Sequence, residues 1–361
     1  MSRGKINAPS GVTLPEELIV QILSLLTVKF LRRLKCVSKS WNSPISDSFF
    51  IGMHLKKSSR VPHIVFCPRD LSTRSTINLL NPFHVHRKPS INTFSLPFDS
   101  KYLYTIIGSC NGIIYLVDYS LSYRKFYLLL WNPATRFFSK MLCSFYHYER
   151  KLNSKLEFAF GYDNVSHKYK VVAFARGNDF SVFTIEDYVW GNIQTFPTHP
   201  YRFTPLYNSR AVYVSNSLNW FALRNDVDSS NFISKIFTVD ELVIISLDLG
   251  TETYKLFRFT FLLDFDEVVV VEPNVCVLME CLCFSHSSKG YNFLVWQMKE
   301  FGVEESWMKL LEVDYCNLLH GTYAGNGIVN LFPLHAFENG DMLIMVIMIQ
   351  RLILYSRRNN C

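Results

Sequence analysis

Four side chains that can bind a metal ion lie close together late in the chain: Cys276, Cys281, Cys283 and His286. A tetrahedral zinc site is usually built from CxxC-type pairs with two further ligands. Here the cysteines alternate with apolar residues such as Val277 and Leu282, which is the pattern of a half-buried strand. The spacing therefore predicts cysteines packed in a core and no metal ion.

Other groups that could do chemistry are isolated from one another. The glycine-rich stretch 108–112 is followed by an apolar run and not by a helix start, so it predicts a hairpin turn and not a phosphate site. Glu304 and Glu305 lie in a polar loop, which predicts a solvated turn. His84 and His86 share a strand face without a third ligand. The sequence lacks the signatures of serine hydrolases and zinc proteases, so we predict no catalytic site and no cofactor.

Charge is distributed unevenly along the chain. Residues 1–60 hold ten Lys and Arg against three acidic residues, whereas residues 61–361 are balanced, so the whole net charge of +7 falls on the first sixty positions. Such a field attracts an acidic partner, and the neutral remainder argues against a groove that follows nucleic-acid phosphates. An odd number of cysteines, nine, without a secretory signal predicts reduced thiols in the cytoplasm or nucleus. No apolar run is long enough for a membrane helix.

The first sixty residues are predicted to form helices after a loose tail at 1–11. Thr13 and Glu16 fit a capping box, with Pro15 in the first turn. Two adjacent apolar stripes follow: Leu18, Ile22 and Leu25, and beside them Ile19, Leu23 and Leu26. A second helix is expected over 28–37. Some forty residues cannot bury so much apolar surface alone, so the helices should dock either on the rest of the chain or on a partner protein.

The run LPEELIVQILSLLTVKFLRRLKCVSKSWNSPISDSFF, residues 14–50, resembles an F-box. F-boxes bind the acidic Skp-type adaptor of a cullin–RING ubiquitin ligase, so the resemblance implies that adaptor and a cullin as partners. It also implies which residues face the adaptor: Leu14, Pro15, Ile22, Leu23, Val28, Leu31 and Trp41.

Three positions depart from the usual F-box pattern. Thr27 stands where the family usually has Pro, Phe30 where it has Ser, and Pro44 where it has Leu. Pro44 lies either inside a third helix that starts near Ser38, or in the first turn of a helix that starts later. The departures at Thr27 and Pro44 predict weaker adaptor binding than that of a standard F-box.

Beyond residue 60 the pattern changes to short strands separated by turns. A strand–turn–strand unit recurs at 127–141, 182–196, 244–257 and 293–311. Repeats of this length are typical of a β-propeller of antiparallel blades, and an irregular β-sandwich is the alternative. We count about five blades in 100–357, and the apolar runs 63–67 and 75–80 could complete or close another.

The later region resembles the plant F-box-associated domain, sometimes described as kelch-like. The matching segments are WNPATR (131–136), FGYD (160–163) with YKVV (169–172), SLDL (246–249) and VWQMKEFGVEESW (295–307).

The two resemblances together imply a domain order and a function. They imply an F-box at 12–52, a linker with closing strands at 53–99 and a β domain at 100–357. The chain would be a non-catalytic subunit of a ubiquitin ligase that recognises a protein substrate through irregular loops: 143–156, 197–210 and 224–238. A β-propeller enzyme or glycan-binding protein, and an F-box scaffold outside a ligase, are the alternatives.

Overall fold

The computed structural model describes the greater part of the chain. The described residues are 15–37, 39–58, 63–66, 76–81, 91–95, 104–120, 125–139, 142–146, 157–174, 180–193, 201–203, 211–224, 236–237, 241–259, 270–288, 292–319, 330–346 and 351–357. The chain divides into two compact units, one made of residues 1–62 with 132–137 and the other of the remaining residues. The predicted tail 1–11, Thr13, Leu14, His84 and His86 lie outside the described residues.

The first unit is helical, as predicted. Its helices are α1 (Glu16–Leu23), α2 (Val28–Lys35), α3 (Lys39–Ser46) and α4 (Ser48–Ser58). Asp47 caps α4, because its Oδ1 accepts hydrogen bonds from the backbone N–H groups of Phe49 (3.0 Å) and Phe50 (3.2 Å). The fourth helix therefore continues six residues beyond the predicted end of the F-box at residue 52.

A small apolar core holds the four helices together. Its fully buried side chains are Leu23, Leu31, Ile45 and Phe50, one from each helix. Ile19 and Leu26 pack against them. One of the two apolar stripes of α1 is thus used internally.

Pro44 lies inside α3, because the helix already begins at Lys39. The alternative of a helix that starts late, with Pro44 in its first turn, is wrong. Proline lacks the N–H that would bond to the carbonyl four residues earlier, so α3 forms with one backbone hydrogen bond fewer than a regular helix. Trp41 consequently lies on a helix and not on a loop.

Six antiparallel sheets make up the second unit within the described residues. Sheet 1 contains β1 (Ile64–Phe66), β2 (Thr76–Leu80) and β3 (Ile91–Ser95). Sheet 2 contains β4 (Tyr104–Cys110), β5 (Ile113–Ser120), β6 (Lys125–Asn132), β7 (Phe137–Phe138) and β8 (Cys143–Tyr146). Sheet 3 contains β9 (Glu157–Asp163), β10 (Lys168–Phe174), β11 (Phe180–Thr184) and β12 (Val189–Asn192).

The remaining three sheets follow in the same order along the chain. Sheet 4 contains β13 (Tyr201–Phe203), β14 (Val212–Val214), β15 (Ser217–Arg224), β17 (Leu242–Asp248) and β18 (Tyr254–Arg258). Sheet 5 contains β16 (Ile236–Phe237), β19 (Val270–Leu278), β20 (Cys281–Ser288), β21 (Asn292–Met298) and β22 (Trp307–Asp314). Sheet 6 contains β23 (Leu331–Ala336), β24 (Met342–Val346) and β25 (Arg351–Tyr355). The short helix α5 (Tyr315–Leu319) follows β22.

Each sheet packs face to face on the next one along the chain. The interfaces are filled by Ile77 and Trp131 between sheets 1 and 2, Tyr115 and Phe160 between 2 and 3, Val172 and Trp220 between 3 and 4, Phe257 and Phe284 between 4 and 5, and Cys283 and Ile344 between 5 and 6. The β-propeller prediction is confirmed. The described residues between 104 and 355 form five sheets, as counted from the sequence, and the runs 63–67 and 75–80 contain β1 and β2 of a sixth.

The recurring sequence motifs form similar turns. In two of the recurring units, and in the turn after FGYD, an Asn or Asp accepts a hydrogen bond from a backbone N–H two or three residues later: Asn132 from Thr135 (3.1 Å), Asp248 from Gly250 (2.9 Å) and Asp163 from Val165 (2.9 Å). Four residues after each of these caps, the backbone adopts a positive φ, at Arg136, His167 and Glu252. The repeat in the sequence is therefore a repeat of turn geometry.

Candidate functional site

The second apolar stripe of α1 is exposed. Leu18 and Ile22 of α1 and Leu25 of the turn that follows it are 44%, 53% and 78% exposed, and their spacing of four and three residues is that of one helix face. We call these three residues the outer stripe. Three leucine-sized side chains along α1 and the turn after it are an apolar surface that a partner can cover.

Helix α2 adds a basic surface. Lys29, Arg32 and Arg33 are exposed on it. The guanidinium of Arg33 lies 5.8 Å from the centre of the Phe30 ring, a cation–π contact, and Phe30 is 52% exposed. The excess positive charge predicted from the sequence thus includes a cluster at the surface of α2.

Side-chain contacts hold α4 against the turn between α1 and α2. The carbonyl of Leu26 accepts a hydrogen bond from Nε2 of His54 (2.8 Å). Ser24 Oγ donates to the carbonyl of Gln21 (2.6 Å) and accepts from Nζ of Lys57 (2.6 Å). These contacts fix which face of α1 points inward, and so leave the outer stripe exposed.

The residues predicted to face the adaptor fall into two groups. Pro15, Ile22 and Trp41 are exposed and Val28 is half-buried, whereas Leu23 and Leu31 are 2% and 5% exposed and belong to the core. The structure also exposes apolar residues that were not assigned to the adaptor from the sequence: Leu18, Leu25, Phe30, Val37, Phe49 and Ile51. The apolar spacing signalled the first two of these.

In the propeller, the motifs shared with the F-box-associated domain build a polar connection between sheets 3 and 4. Lys170 Nζ lies 3.2 Å from Asp163 Oδ2, 3.0 Å from Glu252 Oε1 and 2.6 Å from the carbonyl oxygen of Leu249. Burial opposes ionisation of Asp163, but hydrogen bonds from Ser166, the Val165 N–H and Lys170 hold its pKa below the ordinary value. These contacts hold sheets 3 and 4 together.

Gly161 belongs to the same connection. A Cβ at this position would lie 2.6 Å from Cδ2 of Tyr213 and 2.7 Å from Cδ1 of Leu249, so only glycine allows this close approach. The Tyr213 hydroxyl donates to the carbonyl of Tyr162 (2.7 Å), which holds the ring in place. The close contact between sheets 3 and 4 therefore explains the glycine of the FGYD segment.

The cysteine–histidine group lies within sheet 5. Cys276 and Cys283 are opposite each other on β19 and β20, and both are buried. A hydrogen bond to Cys283, together with burial, raises the pKa of the Cys276 thiol, which opposes formation of a metal-binding thiolate. The described residues contain no group of three or more potential metal ligands.

His286 is held neutral in the same sheet. Its Nε2 accepts a hydrogen bond from the indole N–H of Trp296 (3.2 Å), so Nδ1 carries the proton and donates to the Ser287 carbonyl (3.2 Å). Burial lowers the pKa of His286 to about 4.

Two further sequence predictions concern turns. The stretch 108–112 contains the predicted hairpin turn: Asn111 and Gly112, both with positive φ, connect β4 to β5. Glu304 lies in a short 3-10 helix (Glu304–Ser306), and its carboxylate accepts a hydrogen bond from the backbone N–H of Arg258 (2.8 Å). In the part of the chain that the structure describes, no helix has the length and apolar character needed to cross a membrane.

Comparison with known protein families agrees with this arrangement. Residues 12–51 match the model described as F-box-like, and residues 63–261, more than half of the chain, match the F-box associated beta propeller domain. The chain belongs to the F-box proteins with an associated β-propeller domain. Both resemblances inferred from the sequence are thereby confirmed.

Relatives of this F-box protein occur in Arabidopsis thaliana. An F-box/kelch-repeat protein is 28% identical over 321 residues, which cover 83% of this chain and 79% of the relative. A second F-box protein is 27% identical over 335 residues, covering 83% and 69%. Among solved structures, the WD40 domain of SCAP from fission yeast is 10% identical with a TM-score of 0.40, and the match covers 82% of this chain and 62% of that one.

Proposed function

We propose that this F-box protein is the substrate receptor of an SCF-type cullin–RING ubiquitin ligase. The helical unit binds a Skp-type adaptor and, through it, a cullin, while the propeller binds a protein substrate. Membership of the F-box family supports the first contact, and the associated propeller domain supports the second.

The observation that carries the proposal is the pair of stripes that run along α1 and the turn after it. Ile19, Leu23 and Leu26 supply the unit's own core, whereas Leu18, Ile22 and Leu25 face outward. Full burial of one leucine or isoleucine side chain contributes about 1.5–3 kcal/mol. Covering the outer stripe with a partner would therefore supply a substantial part of a stable interface.

Charge supports the same assignment. The first sixty residues carry +7, and Lys29, Arg32 and Arg33 of α2 are exposed. An acidic adaptor would be attracted to this surface, and the attraction would weaken as salt is added.

In this role the chain itself performs no chemistry. It brings a substrate close to a conjugating enzyme that carries ubiquitin, so that its contribution is proximity. We assign the F-box to 12–52, a linker with closing strands to 53–99 and the substrate-binding β domain to 100–357. We place the complex in the cytoplasm or nucleus, without a nucleic-acid or membrane partner.

The adaptor contact can be tested with substitutions that spare the core. Ile22→Asp and Trp41→Ala are expected to weaken binding to a purified Skp-type adaptor by about thirtyfold or more each, as at interface hot spots. Val165→Asp in the propeller is a matched control, since Val165 is also exposed. Equal affinity of the Ile22→Asp variant and the parent chain would refute the proposed adaptor site.

Leu23 and Leu31 are unsuitable for this test, although both were predicted to face the adaptor. A charge at either position would be buried in the core and would unfold the unit. A separate assay distinguishes a receptor from a scaffold: the assembled ligase should transfer ubiquitin to a cargo that the propeller binds. Adaptor binding without any such transfer would favour the scaffold.

A further inference from the structure

Among the described residues, strand β18 is an edge strand of sheet 4. The sheet order is β13-β15-β17-β18, and among the described residues β18 pairs only with β17. The carbonyl of Thr253 accepts a hydrogen bond from the Asp248 N–H (2.9 Å), which identifies the backbone groups that face β17. Alternation along an antiparallel strand then directs the N–H and C=O of Leu256 and Arg258 away from the sheet.

One of these outward groups already has an acceptor. The Arg258 N–H donates to Oε1 of Glu304 (2.8 Å), a residue of the segment between β21 and β22 in sheet 5. The Arg258 N–H is therefore already occupied, and the outward groups of Leu256 are the ones that an added strand would use. The edge of β18 is thus able to bond to an acceptor presented from outside its own sheet.

A cleft of about 420 Å³ lies beside this edge. Lys255, Leu256 and Phe257 of β18 form one side, and Gly302, Glu304 and Glu305 form the other. Its volume falls within the range of ligand pockets, roughly 300–1,000 Å³. A Cβ at Gly302 would meet nothing within 4 Å, so the second wall leaves space for an incoming chain.

We propose that this cleft binds an extended peptide segment, which adds a strand to β18 and places a Lys or Arg side chain against Glu304 and Glu305. Main-chain hydrogen bonds to Leu256 supply affinity, as in other cases of strand addition. Glu305 is exposed, and among the described residues no salt bridge engages it, so its charge is available to a basic side chain. The inference rests on the proposed function in that the peptide belongs to a captured substrate.

The test uses the full chain and an array of immobilised twelve-residue peptides. One set alternates Thr and Val around a central Lys, and the matched set has Glu at that position. The parent chain is expected to bind the Lys set at least tenfold more tightly than the Glu set. Glu305→Lys should reverse this preference.

A second pair of variants tests the backbone contact. Leu256→Pro removes the outward N–H, which an edge strand tolerates, whereas Leu256→Ala keeps it and serves as the control. Proline should weaken binding of the Lys set by about tenfold relative to alanine, with thermal unfolding showing that both variants are folded.

Two outcomes would overturn the inference: binding of neither peptide set by the parent chain, or equal binding by the folded proline and alanine variants. Adaptor affinity is measured on the same samples. A chain that binds the adaptor but no peptide refutes the cleft alone, whereas a chain that binds the peptide but not the adaptor refutes the proposed ligase role alone.

Discussion

Lys170 and Asp163 form a buried ion pair, with 3.2 Å between Nζ and Oδ2, and each residue is less than a tenth exposed. The pair is completed by the Leu249 carbonyl and by Glu252, which lie in the turn between β17 and β18 of sheet 4. A charge pair in such a place stabilises only as long as both members are present, because an unpaired charge would remain buried.

Removing the cation is therefore expected to be costly. Lys170→Met should lower the free energy of unfolding by about 3–5 kcal/mol, since it leaves Asp163 without its partner. Glu252→Gln is the control, because its side chain is 42% exposed and should contribute less than about 1 kcal/mol. Urea unfolding measures both, and similar losses in the two variants would contradict the buried-pair explanation.

Gly161→Ala is expected to destabilise the propeller by about 1–3 kcal/mol. The new Cβ would lie 2.6 Å from the Tyr213 ring, which cannot move away without losing its hydrogen bond to the Tyr162 carbonyl. Gly191→Ala is the matched control, because nothing lies within 4 Å of its Cβ position. Thermal unfolding should separate the two variants, and a shift of the same size in both would rule out the steric cause.

His286 predicts a dependence of stability on pH. Its pKa in the folded chain is about 4, below the ordinary 6.5. Between these two pH values His286 is therefore protonated in the unfolded chain and neutral in the folded chain. Stability should therefore fall as the pH drops from 6.5 towards 4, by about 2 kcal/mol between pH 7 and pH 5. His286→Gln should lose less stability over this interval. Parallel pH profiles of the parent and the variant would disprove the assignment.

Two reversions test the departures from the F-box pattern. Thr27 precedes α2 with a φ of −70°, close to the value that proline imposes, and its side chain makes no capping hydrogen bond. Thr27→Pro should therefore stabilise the helical unit by about 0.4–1 kcal/mol. Pro44→Leu restores a backbone donor inside α3, which is worth up to about 3 kcal/mol in a regular helix.

Adaptor affinity is the second measurement for these reversions. The double variant should bind the adaptor more tightly than the parent chain, because less free energy is spent on ordering the helices. A double variant that is more stable yet binds with unchanged affinity would show that the two positions act on folding alone.

The sequence predicted which segments form helices and strands better than it predicted which residues contact one another in the folded chain. Apolar spacing located both stripes, but it could not decide which stripe points inward, and the F-box resemblance assigned Ile22 and Leu23 alike to the adaptor. The decision is made by contacts from α4, where His54 and Lys57 bond to the turn after α1. Such contacts join residues some thirty positions apart and leave no periodic signal.

In the propeller, Glu304 likewise makes a long-range contact that the sequence did not predict. Its sequence neighbourhood predicted a solvated turn, and the residue does lie in a turn between two strands. Its bond to the Arg258 N–H depends on the packing of sheets 4 and 5 and joins residues that are far apart in the chain. By contrast, the hydrogen bonds made by the side chains of Asn132, Asp163 and Asp248 act within three residues, and all three residues lie in sequence motifs that were recognised from the sequence.

The outer stripe also affects whether the purified chain self-associates in solution. Leu18, Ile22 and Leu25 remain in water when no partner covers them, and two copies can bury them against each other. We expect the purified chain to self-associate as its concentration rises, with light scattering reduced by Ile22→Asp or by an excess of adaptor. Co-expression with the adaptor is therefore the practical route to a monodisperse preparation.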